Sequence, residues 1–163
     1  MTQIHRPTDG GSGGEVGDKN GLFAVFSEFE YIEHTADLGF KARGKTLEAM
    51  FVHAAEALFS ILVSVETIEI KEERHLEVMA STLDTLLVCW LNELLYLFDT
   101  ERLLLGKFSI DKIRGCLFQA RVRGEFVDRS RHEIKTGIKA VTYHSLYVKK
   151  RHGLWESRVI LDL

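Results

Sequence analysis

Two stretches of this chain keep their apolar residues at three- and four-residue spacing, and that pattern constrains the fold more than any other feature of the sequence. In the first, Leu47, Met50, Phe51, Ala54, Ala55, Leu58, Phe59 and Leu62 fall on one helical face. In the second, Leu83, Leu86, Leu87, Trp90, Leu91, Leu94, Leu95 and Phe98 form a stricter stripe. Thr46 is placed to cap the first helix, and Ser81, with Asp84 in the first turn, to cap the second. Stripes this broad are core surfaces, and two such helices need a sheet to cover.

The sheet is supplied by short alternating runs: Leu38–Arg43, His75–Ala80, Lys107–Ile113, Cys116–Gly124, Ala140–Lys150 and Leu154–Asp162. Arg114 with Gly115, and His152 with Gly153, are expected to form tight hairpin turns, because glycine takes positive φ without steric cost. The later strands then read as one antiparallel meander. The expected fold class is therefore α+β, two amphipathic helices packed on a mainly antiparallel β-sheet. An alternating βαβ order and a glycine-rich phosphate fingerprint are both missing, which argues against a Rossmann or P-loop nucleotide site.

At 163 residues and 45% hydrophobic content, the chain has the size of one domain plus a tail. Residues 1–21, with Gly10, Gly11, Ser12, Gly13 and Gly14 among charges, read as a disordered N-terminal tail, and 22–163 as the domain. No run approaches the ~18 apolar residues of a spanning helix, and the polar start lacks a signal-peptide stretch, so the expected location is cytoplasmic. Cys89 and Cys116 imply neither a disulfide framework nor a zinc site and are expected to be buried thiols.

A formal charge of −3 gives the surface no general attraction for nucleic acid. Any RNA contact must be local or indirect. Arg129, Arg131, His132, Lys135 and Lys139, with Lys149, Lys150 and Arg151 further on, are candidates for it; solvated sheet surface is the competing reading.

Between two predicted strands lies Glu33-His34-Thr35-Ala36-Asp37-Leu38-Gly39, a dense set of potential ligands in a connection. Two readings stay open: a turn in which Thr35 and Asp37 satisfy local backbone groups, or a binding site. The closing Arg158-Val159-Ile160-Leu161-Asp162-Leu163 keeps a strand pattern to its last residue. If Asp162 shares an edge with Asp37, the two carboxylates and a backbone carbonyl or the terminal carboxylate form an oxygen-rich pocket for Ca²⁺ or Mg²⁺.

Tyr31 to Gly39, the Lys45-Thr46-Leu47-Glu48 helix start and Leu91-Asn92-Glu93-Leu94-Leu95-Tyr96-Leu97 together resemble the archease family. So do His132-Glu133-Ile134-Lys135, Ile138-Lys139-Ala140-Val141-Thr142-Tyr143-His144 and the final Asp162-Leu163. The likeness extends over about residues 29 to 163, with Gly137 standing where an acid is expected.

The resemblance implies a non-enzymatic protein cofactor of an RtcB-type tRNA-splicing RNA ligase. That ligase joins RNA ends bearing 2′,3′-cyclic phosphate and 5′-hydroxyl, using GTP and Mn²⁺ through a guanylated histidine. The archease promotes guanylation and multiple turnover, and meets tRNA only through the ligase. The resemblance also implies a calcium-type metal site of Asp37, Asp162 and the Leu163 carbonyl, with magnesium or manganese as other occupants. His34, His132, Lys139 and His144 are implied as neighbouring or partner-contacting groups. Two other classes compete: a general chaperone of tRNA-modifying enzymes such as a tRNA cytosine methyltransferase, and a metal-dependent phosphohydrolase using His34 and Asp37.

Overall fold

The computed structural model describes residues 28–34 and 37–163, with the side chains of Glu33, His34 and Asp37 excepted. The predicted tail, 1–21, lies outside the described residues. In chain order the elements are β1 (Phe29–His34), β2 (Asp37–Gly44), α1 (Leu47–Leu62), a 3-10 turn (Val65–Thr67), β3 (Glu72–Met79), α2 (Leu83–Glu101), β4 (Leu103–Arg114), β5 (Leu117–Phe126), β6 (Ala140–Arg151) and β7 (Leu154–Asp162). The fold is α+β, and every strand pair is antiparallel.

The strands divide into two sheets, β1-β2-β7-β6 and β3-β5-β4. The expected single meander is thereby corrected: the hairpins β4–β5 and β6–β7 belong to different sheets. The connection 127–139 separates them. It is held at the end of α1, where Lys135 N–H donates to the Leu62 carbonyl at 2.8 Å and Ile134 bridges Val63. That anchor carries the chain from one sheet to the other.

Each helix touches both sheets, α1 packing on β2 and β4, α2 on β6, β4 and β3. This explains why α1 buries more than one stripe: Ala57 and Ile61, outside the predicted face, are buried as well. Trp90 on α2 stacks at 4.9 Å from Phe118 of β5 and donates its indole N–H to the Phe51 carbonyl of α1 at 3.1 Å. A single buried ring thus ties both helices to the smaller sheet, with its one polar atom satisfied.

The cap of α1 is Thr46, as predicted, its hydroxyl accepting from Ala49 N–H at 3.1 Å. That of α2 is Thr82, not Ser81; its hydroxyl accepts from Thr85 N–H. Between β6 and β7, His152 and Gly153 both take positive φ, 53° and 75°, the pair a type I′ hairpin requires. The other turn sits one residue later than predicted, at Gly115 and Cys116, with Gly115 at φ 58°. That turn leaves Cys116 exposed and Cys89 is only part-buried, so neither cysteine is the buried thiol expected.

Candidate metal edge

β7 lies between β2 and β6, so its last residue has a neighbour on each side. On one side Ala140 pairs with Asp162, and Lys139 N–H donates to the Asp162 carbonyl at 2.8 Å. On the other, Leu38 pairs with Leu161, and one step further along that register stands Asp37, the first residue of β2. Directly paired residues of an antiparallel ladder have Cα atoms about 4.5–5.5 Å apart. The backbone therefore brings the start of β2, the end of β7 and the start of β6 to one sheet edge.

Gly39 allows this approach. A Cβ there would collide with the Val159 carbonyl oxygen of β7, so only glycine lets β2 close on β7 two residues from Asp37.

Asp162 is exposed, and its carboxylate has no hydrogen bond or ion pair among the described residues. Its own carbonyl is engaged by Lys139, so the main-chain oxygens left over are those of Leu163, which is 44% exposed. An all-oxygen set of carboxylates and a terminal carbonyl suits a hard divalent cation better than a soft one. The side chains of Asp37 and His34 lie outside the described residues, though the backbone places both where β1 turns into β2, paired with each other.

Of the remaining sequence candidates, Lys139 immediately precedes β6 at this edge, His144 lies further along β6, and His132 is in neither place. Lys139 is exposed. His144 is exposed within a widened stretch of β6 between Thr142 and Tyr147, where the pairing with β7 shifts and Ser145 takes φ 51°. His144 N–H donates to the Thr142 hydroxyl at 3.3 Å, and that hydroxyl donates to the Ile160 carbonyl at 3.0 Å.

His132 is buried in a separate polar cluster. Its Nδ1 accepts from Asp128 N–H at 2.9 Å, so the ring hydrogen sits on Nε2, 3.0 Å from Glu125 Oε1. Glu125 is 3% exposed and also meets Arg131 at 2.6 Å, Lys71 at 3.2 Å and the Glu69 N–H at 2.8 Å. The Arg131 guanidinium, foremost among these donors, holds the Glu125 carboxyl down to about 2. Arg131 is thus committed within the domain. Lys149 and Lys150 lie over the rings of Tyr147 and Trp155, at 4.1 and 5.7 Å, which fits the solvated-sheet reading of that basic stretch.

Two contributors were not foreseen. Asn92, on α2, accepts from Val141 N–H at 2.9 Å and donates to the Val141 carbonyl at 3.4 Å, clamping the start of β6 next to Lys139. Its signal was a short amide within an apolar helix, a residue type that helices disfavour unless it finds a partner. Glu125 gave no such signal, because strand alternation sets it outward while the structure buries both Gly124 and Glu125.

Two antiparallel sheets, two helices packed against both, and an acid-bearing edge where three strand ends meet define an α+β domain with a candidate metal edge. Comparison with known proteins gives the particular family. The description Archease protein family (MTH1598/TM1083) matches residues 29–163, and the chain belongs to the archease family. It is 38% identical over 140 residues to the protein archease of Methanosarcina mazei, covering 83% of this chain and 96% of that one. The protein archease of Thermococcus kodakarensis is 39% identical over 140 residues, covering 83% and 99%.

Among solved structures, the solution structure of Methanobacterium thermoautotrophicum protein 1598 superposes with a TM-score of 0.72 at 38% identity, covering 83% of this chain and 99% of that one. The crystal structure of an archease, possible chaperone, from Thermotoga maritima shares the fold, with a TM-score of 0.51 at 22% identity, covering 82% and 96%. Among the described residues no helix is long and apolar enough to cross a membrane.

Proposed function

We propose that this chain is a metal-binding protein cofactor, without catalysis of its own, that activates an RtcB-type tRNA-splicing RNA ligase by promoting its guanylation and multiple turnover. Membership of the archease family supports the accessory role. The observation that carries the metal reading is the convergence of Asp37, Asp162 and Leu163 at one edge, with the Asp162 carboxylate unpartnered among the described residues and the Asp162 carbonyl already engaged.

Asp37, Asp162 and the Leu163 carbonyl would hold the ion, calcium being the best fit to these donors and magnesium or manganese the other occupants. When bound, the ion supplies positive charge that stabilises developing negative charge on a transferred phosphate. The chain's own residues do the positioning. Asn92 fixes the start of β6, Lys139 fixes the Asp162 carbonyl, and the unpaired exposed end presents the site to a partner. Contact with tRNA is then indirect, through the ligase.

The test is ligation of a cyclic-phosphate RNA under multiple turnover by the ligase of the same organism, with and without this chain. Stimulation by the unmodified chain and its loss in both Asp37→Ala and Asp162→Ala is the expected result. Asp162 is exposed and has no partner among the described residues, so its truncation leaves the fold intact. Full stimulation by both variants would sink the metal role. No stimulation by the folded unmodified chain would move the assignment to a general chaperone of tRNA-modifying enzymes, and phosphodiester turnover by the chain alone would move it to a hydrolase.

A further inference from the structure

The far end of β2 carries a second group of ligand atoms of different chemistry. Glu28, just before β1, has its carbonyl bonded by Arg43 N–H at 2.7 Å, which sets it against the end of β2 away from Asp37. Arg43 lies six residue steps along the strand from Asp37, about 20 Å. His53 and Glu56, three apart on α1, share one helical face beside Glu28. A ligand atom from each of Glu28, His53 and Glu56 lies within 4.8 Å of the other two.

Three observations show what this group is prepared for. First, His53 Nδ1 lies 2.6 Å from the Arg43 carbonyl. A carbonyl only accepts, so the hydrogen is on Nδ1, which is how metal-ligating histidines are held. Second, Nε2 stands 3.8 Å from Glu28 Oε1, near it but beyond hydrogen-bond distance. Third, Glu56 is part-buried and its carboxylate has no hydrogen bond or ion pair among the described residues. Two carboxylates and an imidazole nitrogen thus converge.

We infer that Glu28, His53 and Glu56 form a second metal site, selective for a zinc-type divalent transition metal. One imidazole nitrogen with two carboxylate oxygens suits a borderline ion, in contrast to the all-oxygen edge at Asp162. Bonds of 2.0–2.2 Å around a tetrahedral ion place its ligand atoms about 3.3 Å apart. Closure from a spacing of up to 4.8 Å needs both carboxylates to move inward, Glu28 most freely because its side chain is 62% exposed.

The fourth coordination position opens on a cavity of about 400 Å³ that Glu28 and His53 line together with Arg43 and Lys45. Arg43 Nη1 is buried there without a hydrogen-bond partner among the described residues. Water completes the coordination, because the Arg43 guanidinium is already paired with Glu156 at 2.8 Å and Glu30 at 3.0 Å.

Zinc calorimetry and cobalt(II) visible absorption on the full chain test the site, with His53→Gln, Glu56→Gln and the double variant Asp37→Asn/Asp162→Asn beside the unmodified protein. The expected outcome is one zinc per chain, bound at least about tenfold more weakly in each glutamine variant and unchanged in the double variant. Metal-free melting curves separate loss of binding from loss of fold. Equal affinity in folded His53→Gln, dependence on Asp37 and Asp162, a thiolate-to-cobalt band from Cys116, or no zinc uptake at all would each overturn the site. Only dependence on Asp37 and Asp162 bears on the calcium edge, since it would place the zinc there; the other outcomes leave that edge untouched, because the two sites share no residue.

Discussion

Glu125 shows how one residue can be decided by its surroundings. A carboxylate at the end of β5, it accepts from Arg131, Lys71, His132 and a backbone N–H while almost fully buried. Glu125→Gln keeps the shape and loses the charge-assisted bonds, which are the strong ones. We expect it to lower unfolding free energy by about 2 kcal/mol in urea titrations. The pH dependence has a definite sign. The folded carboxyl titrates near 2 against an ordinary 4.5, so its stabilisation is complete above pH 4.5 and is lost as the pH falls through 2. Acid titrations of the Gln variant should therefore show a shallower decline over that window; an identical decline would mean that Glu125 is not held down by its partners.

At the scale of elements, the caps separate what a pattern can fix from what it leaves within a residue or two. Ser81 and Thr82 are both good N-cap residues, and the apolar stripe of α2 does not choose between them. The structure chooses Thr82, whose hydroxyl also meets that of Thr85 at 3.0 Å. Thr82→Ala is expected to cost about 1 kcal/mol and Ser81→Ala much less. Thermal melts of the two variants check this, and the reverse ranking would return the cap to Ser81. The β6–β7 hairpin is firmer, since His152 and Gly153 take the two positive-φ positions that a two-residue turn demands.

For the whole molecule, the distribution of charge and ligand atoms along β2 gives the testable statement. Calcium at about a hundred times its dissociation constant adds about 2.7 kcal/mol to a protein that binds it only when folded. In a domain of this size that raises Tm by about 5–10 °C. The rise is expected in the unmodified chain, to be reversed by chelator, and to vanish in Asp162→Ala. An undiminished rise in that variant would place calcium elsewhere.

The sequence by itself determined the two helices, the turn glycines, most strand centres and the family, because these rest on periodicity, local backbone preference and contiguous motifs. Leu47 to Leu62 and Leu83 to Phe98 could hardly have been anything but buried helices. It could not determine that the late hairpins part into two sheets, since that turns on where Ile134 and Lys135 dock on the end of α1. Nor could it show that His132 faces inward to Glu125, that Asn92 holds β6, or that Glu28 reaches His53 and Glu56. Each of these pairs residues distant in the chain, and only tertiary packing decides which polar groups find one another.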